Sequence, residues 1–239
     1  KRNYIYPDRD SMTAAFVCEF SRTLEEYAEK GRQIHIALSG GSTPLSIFRQ
    51  LTGQTTREEW SHVSLYWGDE RCVPPDHPES NYGNARETLL DPLGLDKDLI
   101  HRIRGEEPPP EEADRYSKEL LKFLPSKNGF PVFDWIWLGL GADGHTASIF
   151  PQEIELWTSG APCVVTRHPD SGQTRISLSG GVLNAAKRVT FITSGEEKAS
   201  VIQEIFMKEG KYMSYPAFYV SPVSDNLEWY MDQNAARLL

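Results

Sequence analysis

The stretch Gly139-Leu-Gly-Ala-Asp-Gly-His-Thr146 places a histidine directly after a glycine-rich turn. An imidazole is the side chain that most readily exchanges a proton near neutral pH. A neutral ring suits a general base. If a helix starts at His145, its N-terminal dipole disfavours the imidazolium and keeps the ring neutral. Two carboxylates can accept the proton of the far ring nitrogen and fix the tautomer. Asp143 lies two residues earlier, and Asp69 stands in Gly68-Asp-Glu-Arg71. Asp69 is favoured, because it comes from a separate strand end and can face the ring. The bland alternative for His145 is a cap without chemistry.

Gly139 to Gly144 also matches GxGxxG, the dinucleotide-binding pattern. The unit is in mid-chain, and the run 163–167 ends in Thr166-Arg167 rather than the acidic residue that would hold a ribose. The residue after the last glycine is a histidine, which suits a base better than a pyrophosphate cradle. A nicotinamide site is therefore disfavoured.

Ser39-Gly-Gly-Ser-Thr-Pro44 can cradle an anion. Its glycines allow close approach of backbone N–H groups, its hydroxyls donate, and Pro44 suits a first helical turn. It is not a Walker loop, because GxxxxGK[ST] is absent. The plain alternative is a tight turn with a Ser/Thr cap. Arg71 offers a planar fork for phosphate. Lys198, in Ser194-Gly-Glu-Glu-Lys198, adds an ammonium at another helix start, and Arg175 is a further cation.

These stretches need elements to hold them. Ile34–Leu38, Val63–Trp67, Phe133–Leu138 and Arg188–Thr193 read as buried strands. Helical runs follow at 45–51, 82–90, 111–124 and from Ser194-Gly195 to about Phe206. Strands separated by helices imply βαβ units and a mostly parallel sheet. Ligands of such sheets sit beyond the carboxyl ends of the strands. The polar stretches 39–44, 68–71, 139–146 and 194–198 all follow strands, so they converge on one rim. No linker divides the chain, and 1–239 is expected to form one α/β domain. Trp135-Ile-Trp137 reads as core.

Composition removes several classes. A net charge of −9 offers no general attraction for nucleic acid or an anionic membrane. An anionic ligand must therefore be met by a local cluster of cations. Three scattered cysteines, Cys18, Cys72 and Cys163, make neither a disulfide framework nor a zinc motif, which fits a reducing compartment. No metal ligand set is read. No signal-peptide pattern or membrane-length apolar run is present.

Taken in order, Leu38-Ser-Gly-Gly-Ser-Thr-Pro44, Trp67-Gly-Asp-Glu-Arg-Cys-Val-Pro74, Glu79-Ser-Asn-Tyr82, Leu138 to Pro151, Arg175 to Ala186 and Ser194-Gly-Glu-Glu-Lys-Ala199 resemble the 6-phosphogluconolactonase family. The resemblance runs from about residue 10 to the C-terminus. The wider superfamily holds glucosamine-6-phosphate deaminase/isomerases, which share the SGGST loop and a GxDGH stretch. Asp-Glu-Arg followed by Val-Pro and Ser-Asn looks like the lactonase branch. Ser224-Asp225-Asn226 departs from the glycine turn often found there.

The resemblance implies a single Rossmann-like α/β domain of NagB/RpiA-type architecture. It implies metal-free, cofactor-free cytoplasmic hydrolysis of a phosphorylated sugar δ-lactone, with neither nucleic acid nor membrane as partner. His145 would be the base and Asp69 its orienting carboxylate. Ser39, Gly40, Gly41, Ser42, Thr43, Arg71 and Lys198 would hold the phosphate, with Arg175 as a second-line contact. Gly141, Asp143 and Gly144 form the loop from which oxyanion donors are expected. An amino-sugar isomerase/deaminase and a non-catalytic sugar-phosphate sensor are the competing readings.

Overall fold

A computed structural model describes residues 1–239. Its strands are β1 (Arg2–Tyr6), β2 (Ile34–Leu38), β3 (Val63–Trp67), β4 (Asp69–Arg71), β5 (Ile100–His101), β6 (Ser126–Lys127), β7 (Phe130–Pro131), β8 (Trp135–Leu138), β9 (Cys163–Arg167), β10 (Thr174–Leu178), β11 (Val189–Thr193) and β12 (Leu227–Asp232). Its helices are α1 (Arg9–Glu29), α2 (Ser42–Gln54), α3 (Asn81–Ala85), α4 (Asp91–Leu93), α5 (Pro109–Phe123), α6 (Gly180–Ala185) and α7 (Ala199–Met207), with 3₁₀ segments and one π-helical turn, Arg86–Leu90, between.

Seven strands form one sheet in the order β1-β12-β11-β8-β2-β3-β5, and every pair is parallel. The inner strands of such a sheet are buried on both faces, which favours predominantly apolar runs. All residues of β3, β8 and β11 are buried. Trp135 and Trp137 are core, as their sequence suggested. Phe16 and Phe20, one turn apart on α1, meet Trp137 with ring centroids 4.9 and 5.1 Å away.

From β2 the chain moves to β3 on one side. From β8 it moves to β11 on the other. The reversal lies between β2 and β8, and a crevice opens at such a switch point. The four expected strands end side by side there, in the order β11, β8, β2, β3.

The chain after β3 differs from the turn expected at 68–71. Gly68 bridges two sheets: its N–H donates to Leu38 O at 2.9 Å and its carbonyl accepts from Leu178 N at 2.9 Å. Asp69–Arg71 then enters a second, antiparallel sheet of order β4-β10-β9. Pairing places Arg175 opposite Arg71 and Ser177 opposite Asp69. The edge strand β1 and its inner neighbour β12 were not anticipated. At the departure noted above, Asp225 takes φ +58°, so the left-handed turn persists without glycine.

Candidate active site

A cavity of about 220 Å³ opens at the switch point. Ser39, Gly40 and Gly41 line it from the end of β2, Asp69 and Arg71 from β4, and Gly139, Leu140, Gly141, His145 and Ala147 from the turn after β8. Arg175 and Lys198 complete the wall with Asn81. An adjoining cavity holds Ser42, Thr43 and Ser194, and shares Gly40, Gly41 and Lys198 with the first. Each stretch expected at one rim is therefore there.

His145 differs from expectation in two ways. No helix starts there. The chain makes turns and an isolated bridge between Thr146 and Ile149, with a 3₁₀ helix only from Pro151. The dipole argument for a neutral ring thus has no helix behind it. The carboxylate in contact with the ring is Asp143, not Asp69. His145 Nδ1 lies 2.6 Å from Asp143 Oδ1, which also accepts the His145 backbone N–H at 3.2 Å. A residue two positions away reaches the ring because the turn doubles back. Burial raises the Asp143 carboxyl, but the hydrogen bond and charge of His145 outweigh it and hold the group below the usual carboxylate range. With Nδ1–H donated to Asp143, Nε2 is the nitrogen with a free lone pair. Phe150 packs on the ring at 4.8 Å.

Asp69 is buried and turned elsewhere. Its Oδ2 accepts from Ser148 Oγ at 2.5 Å, and its backbone carbonyl accepts from Asn81 Nδ2 at 3.0 Å. Arg175 reaches Ser148 Oγ at 3.4 Å. Asp69, Ser148 and Arg175 thus form one polar chain along the wall.

The amides of Gly141 and Gly144 are also not the oxyanion donors expected. Gly141 N donates to His145 O at 2.9 Å, and Gly144 N to Gly141 O at 3.0 Å. They close the turn on itself. Gly141 has a steric task instead: a Cβ there would lie 2.1 Å from His145 Nδ1 and 2.4 Å from Asp143 Oδ1. Gly141→Ala should therefore push the ring away from its carboxylate and lower kcat by about tenfold or more, since misplacements near 1 Å have large effects. Steady-state rates check this, and unchanged kcat would show that the ring position is immaterial.

Three cations face this cavity. Arg71 Nη1 donates to Glu79 O at 2.6 Å, while its buried Nε has no partner. Like charges directly opposed across strands destabilise a sheet unless something neutralises them. Burial, and then the neighbouring Arg71, bring Arg175 below its usual pKa. Lys198 has Glu197 at 3.8 Å as its ion-pair partner. The amides of Gly40, Gly41, Ser42 and Thr43, at the start of α2, donate to no protein acceptor. Open amides at a helix start beside cations make an anion site.

Three contributors were not among the expected site residues. Glu70, fully buried, accepts four bonds: from Arg71 N (2.8 Å), Asn81 N (2.7 Å), Tyr82 N (2.8 Å) and Ser80 Oγ (3.0 Å). Burial raises its carboxyl and these backbone bonds oppose that. It ties the Ser80–Tyr82 segment to β4, and so places Asn81 in the wall. Asn81 and Ser148 are the other two. Asn81 and Ser148 both stood inside the stretches quoted for the resemblance, but nothing in their local pattern marked them.

A family model described as glucosamine-6-phosphate isomerases/6-phosphogluconolactonase matches residues 7–229. A 6-phosphogluconolactonase of Haemophilus influenzae is 42% identical over 215 residues, covering 89% of this chain and 90% of that one. The human 6-phosphogluconolactonase is 37% identical over 215 residues, covering 85% and 80%. The solved 6-phosphogluconolactonase of Trypanosoma brucei superimposes with a TM-score of 0.88 at 28% identity, covering 100% and 98%.

Proposed function

The chain belongs to the glucosamine-6-phosphate isomerase/6-phosphogluconolactonase family and hydrolyses 6-phosphogluconolactone to 6-phosphogluconate in the pentose phosphate pathway, and we propose that His145 is the general base of that reaction. The observation that carries this reading is the His145–Asp143 pair, with Nε2 left open in a cavity that also holds Arg71, Arg175 and Lys198.

Nε2 takes a proton from water as the water oxygen attacks the lactone carbonyl. Asp143 stabilises the imidazolium that results. The tetrahedral intermediate collapses, the bond from C1 to the ring oxygen breaks, and the imidazolium returns its proton to that oxygen. Leu140 and Ala147 line the cavity with amides that no protein group accepts, so they are the loop's available oxyanion donors. Asp69, buried and acceptor-only when ionised, takes a sugar hydroxyl.

The phosphate sits against the open amides of 40–43 with Ser39, Arg71 and Lys198, and Arg175 stands beside Arg71 as a second-line contact. A dianion there offsets the opposed guanidiniums and partners the buried Arg71 Nε. A base with an open acceptor nitrogen favours catalysis over sensing. The reaction needs no metal in this scheme: His145 activates the water, and the open amides and cations of the cavity meet the developing charge. We also read residues 1–239 as one domain, supported by a continuous core. The setting is cytoplasmic, supported by three free cysteines. No helix is long and apolar enough to cross a membrane.

The test is lactone opening measured against buffer, since the substrate also opens unaided. The protein should accelerate it equally with and without EDTA, and release no ammonia from glucosamine 6-phosphate. Loss of activity with EDTA, restored by metal, would end the metal-free scheme. Ammonia release would move the assignment to the deaminase branch.

A further inference from the structure

The turn that carries His145 is backed by a segment no motif marked. Gly144 takes φ +85°, and a Cβ there would lie 2.3 Å from Tyr215 Cδ1. The Tyr215 ring therefore lies directly against the Gly144 backbone. Gly144 O also accepts from Ala217 N at 3.1 Å. At its far end, Tyr215 Oη donates to Glu204 Oε2 at 3.0 Å, and the same oxygen accepts Lys211 N at 2.6 Å. Tyr215 is buried, so this arrangement is fixed on both sides.

Glu204 belongs to α7, and Lys198 is the N-cap of that helix. Six residues separate them, about 9 Å of helix. A closed path thus joins the two ends of the cavity: His145, Gly144, Tyr215, Glu204, α7, Lys198. Each link is a hydrogen bond, a direct packing contact or a helix. The base and the ammonium otherwise belong to loops after different strands, β8 and β11.

We propose that Tyr215 and Glu204 are positioning residues that fix the distance between His145 and the phosphate-binding Lys198. This rests on the roles given to His145 and Lys198 above. A phosphate held by Lys198 places the lactone carbonyl at one distance from it. The base must wait at that distance, and a rigid strut behind both keeps it there. An effective concentration gained this way depends on sub-ångström placement. Neither residue touches the cavity, so neither contributes a contact to the substrate itself.

The experiment is a double-mutant cycle on kcat/KM for 6-phosphogluconolactone, with melting curves recorded alongside. Tyr215→Phe removes only the hydroxyl that reaches Glu204. It should lower kcat/KM by about three- to tenfold, the worth of one buried hydrogen bond. In a Lys198→Ala background the same change should cost less than about twofold, because the ammonium that the strut spaces from the base is gone. Glu204→Gln should behave in the same way, and serves if the phenylalanine variant does not fold. An equal loss in both backgrounds would mean general loosening and would overturn the proposal. So would wild-type kcat/KM in both Tyr215→Phe and Glu204→Gln. If Lys198→Ala alone kept full kcat/KM, the assignment of Lys198 to the phosphate would fail, and the strut would have nothing to space. The first two results leave that assignment standing, so the failures are distinguishable.

Discussion

Alanine at His145 should lower kcat by about 10²–10⁴, the usual contribution of a positioned base. The ring is the only group lining the cavity that combines a nitrogen without a protein partner, Nε2, with a carboxylate behind it. Lys198, Arg71 and the amides of 40–43 are on other elements, so the substitution leaves the anion site whole. KM should then stay within a few-fold while kcat falls. The acid side of the pH profile gives a second readout. A general base works only while unprotonated, so wild-type kcat should carry an acid-side decline. The variant has no base to protonate, and its residual rate should lose that limb. Initial rates above the buffer reaction, taken across pH, measure both. Full activity in His145→Ala would remove the histidine from the mechanism.

The fold was legible because its signals are local. A parallel sheet buried on both faces favours apolar, β-branched and aromatic runs, and Val63–Trp67 and Val189–Thr193 are such runs, buried throughout and broken only by Ser64, Thr190 and Thr193. Polar, glycine-rich stretches after such strands then have one place to go. The edge strand β1 was harder. Arg2–Tyr6 is largely exposed, and its pattern is set by one neighbour, β12.

The site was legible in membership but not in pairing. His145, Arg71, Lys198 and 39–41 were found because strand ends and ligand chemistry coincide there. Which carboxylate touches the ring depends on the path of one turn. Gly141 and Gly144 let that turn fold back, so Asp143 reaches Nδ1, while β4 pairs with β10 and aims Asp69 at Ser148. The three-stranded sheet that does this has no marker in the run Gly68-Asp-Glu-Arg71. The role of Tyr215 was equally hidden, because it acts through packing on a backbone 71 residues earlier in the chain.

The choice between the two carboxylates leads to the second large effect. Asp143→Asn should lower kcat by about 10²–10³, by analogy with the loss when a carboxylate behind a catalytic histidine becomes an amide. Asp143 Oδ1 accepts both the ring Nδ1–H and the His145 backbone N–H. An asparagine can keep its oxygen there, and the imidazolium formed during the reaction then loses its counter-charge. It can instead turn its NH₂ to Nδ1, which moves the ring proton to Nε2 and blocks the lone pair. Both outcomes disable the base. Because the Asp143 carboxyl sits below its usual range, its contribution to stability is complete above the unfolded value and is lost as pH falls through the lowered folded one. Melting temperature against pH should therefore show an acid loss in wild type that Asp143→Asn lacks. Asp69→Asn is the companion measurement. Its partners are Ser148 and Asn81, so its loss should appear mainly in KM, with kcat falling less than in Asp143→Asn. The opposite ranking, with Asp69→Asn disabling kcat and Asp143→Asn sparing it, would return the orienting role to Asp69 and require the turn to reorganise when substrate binds.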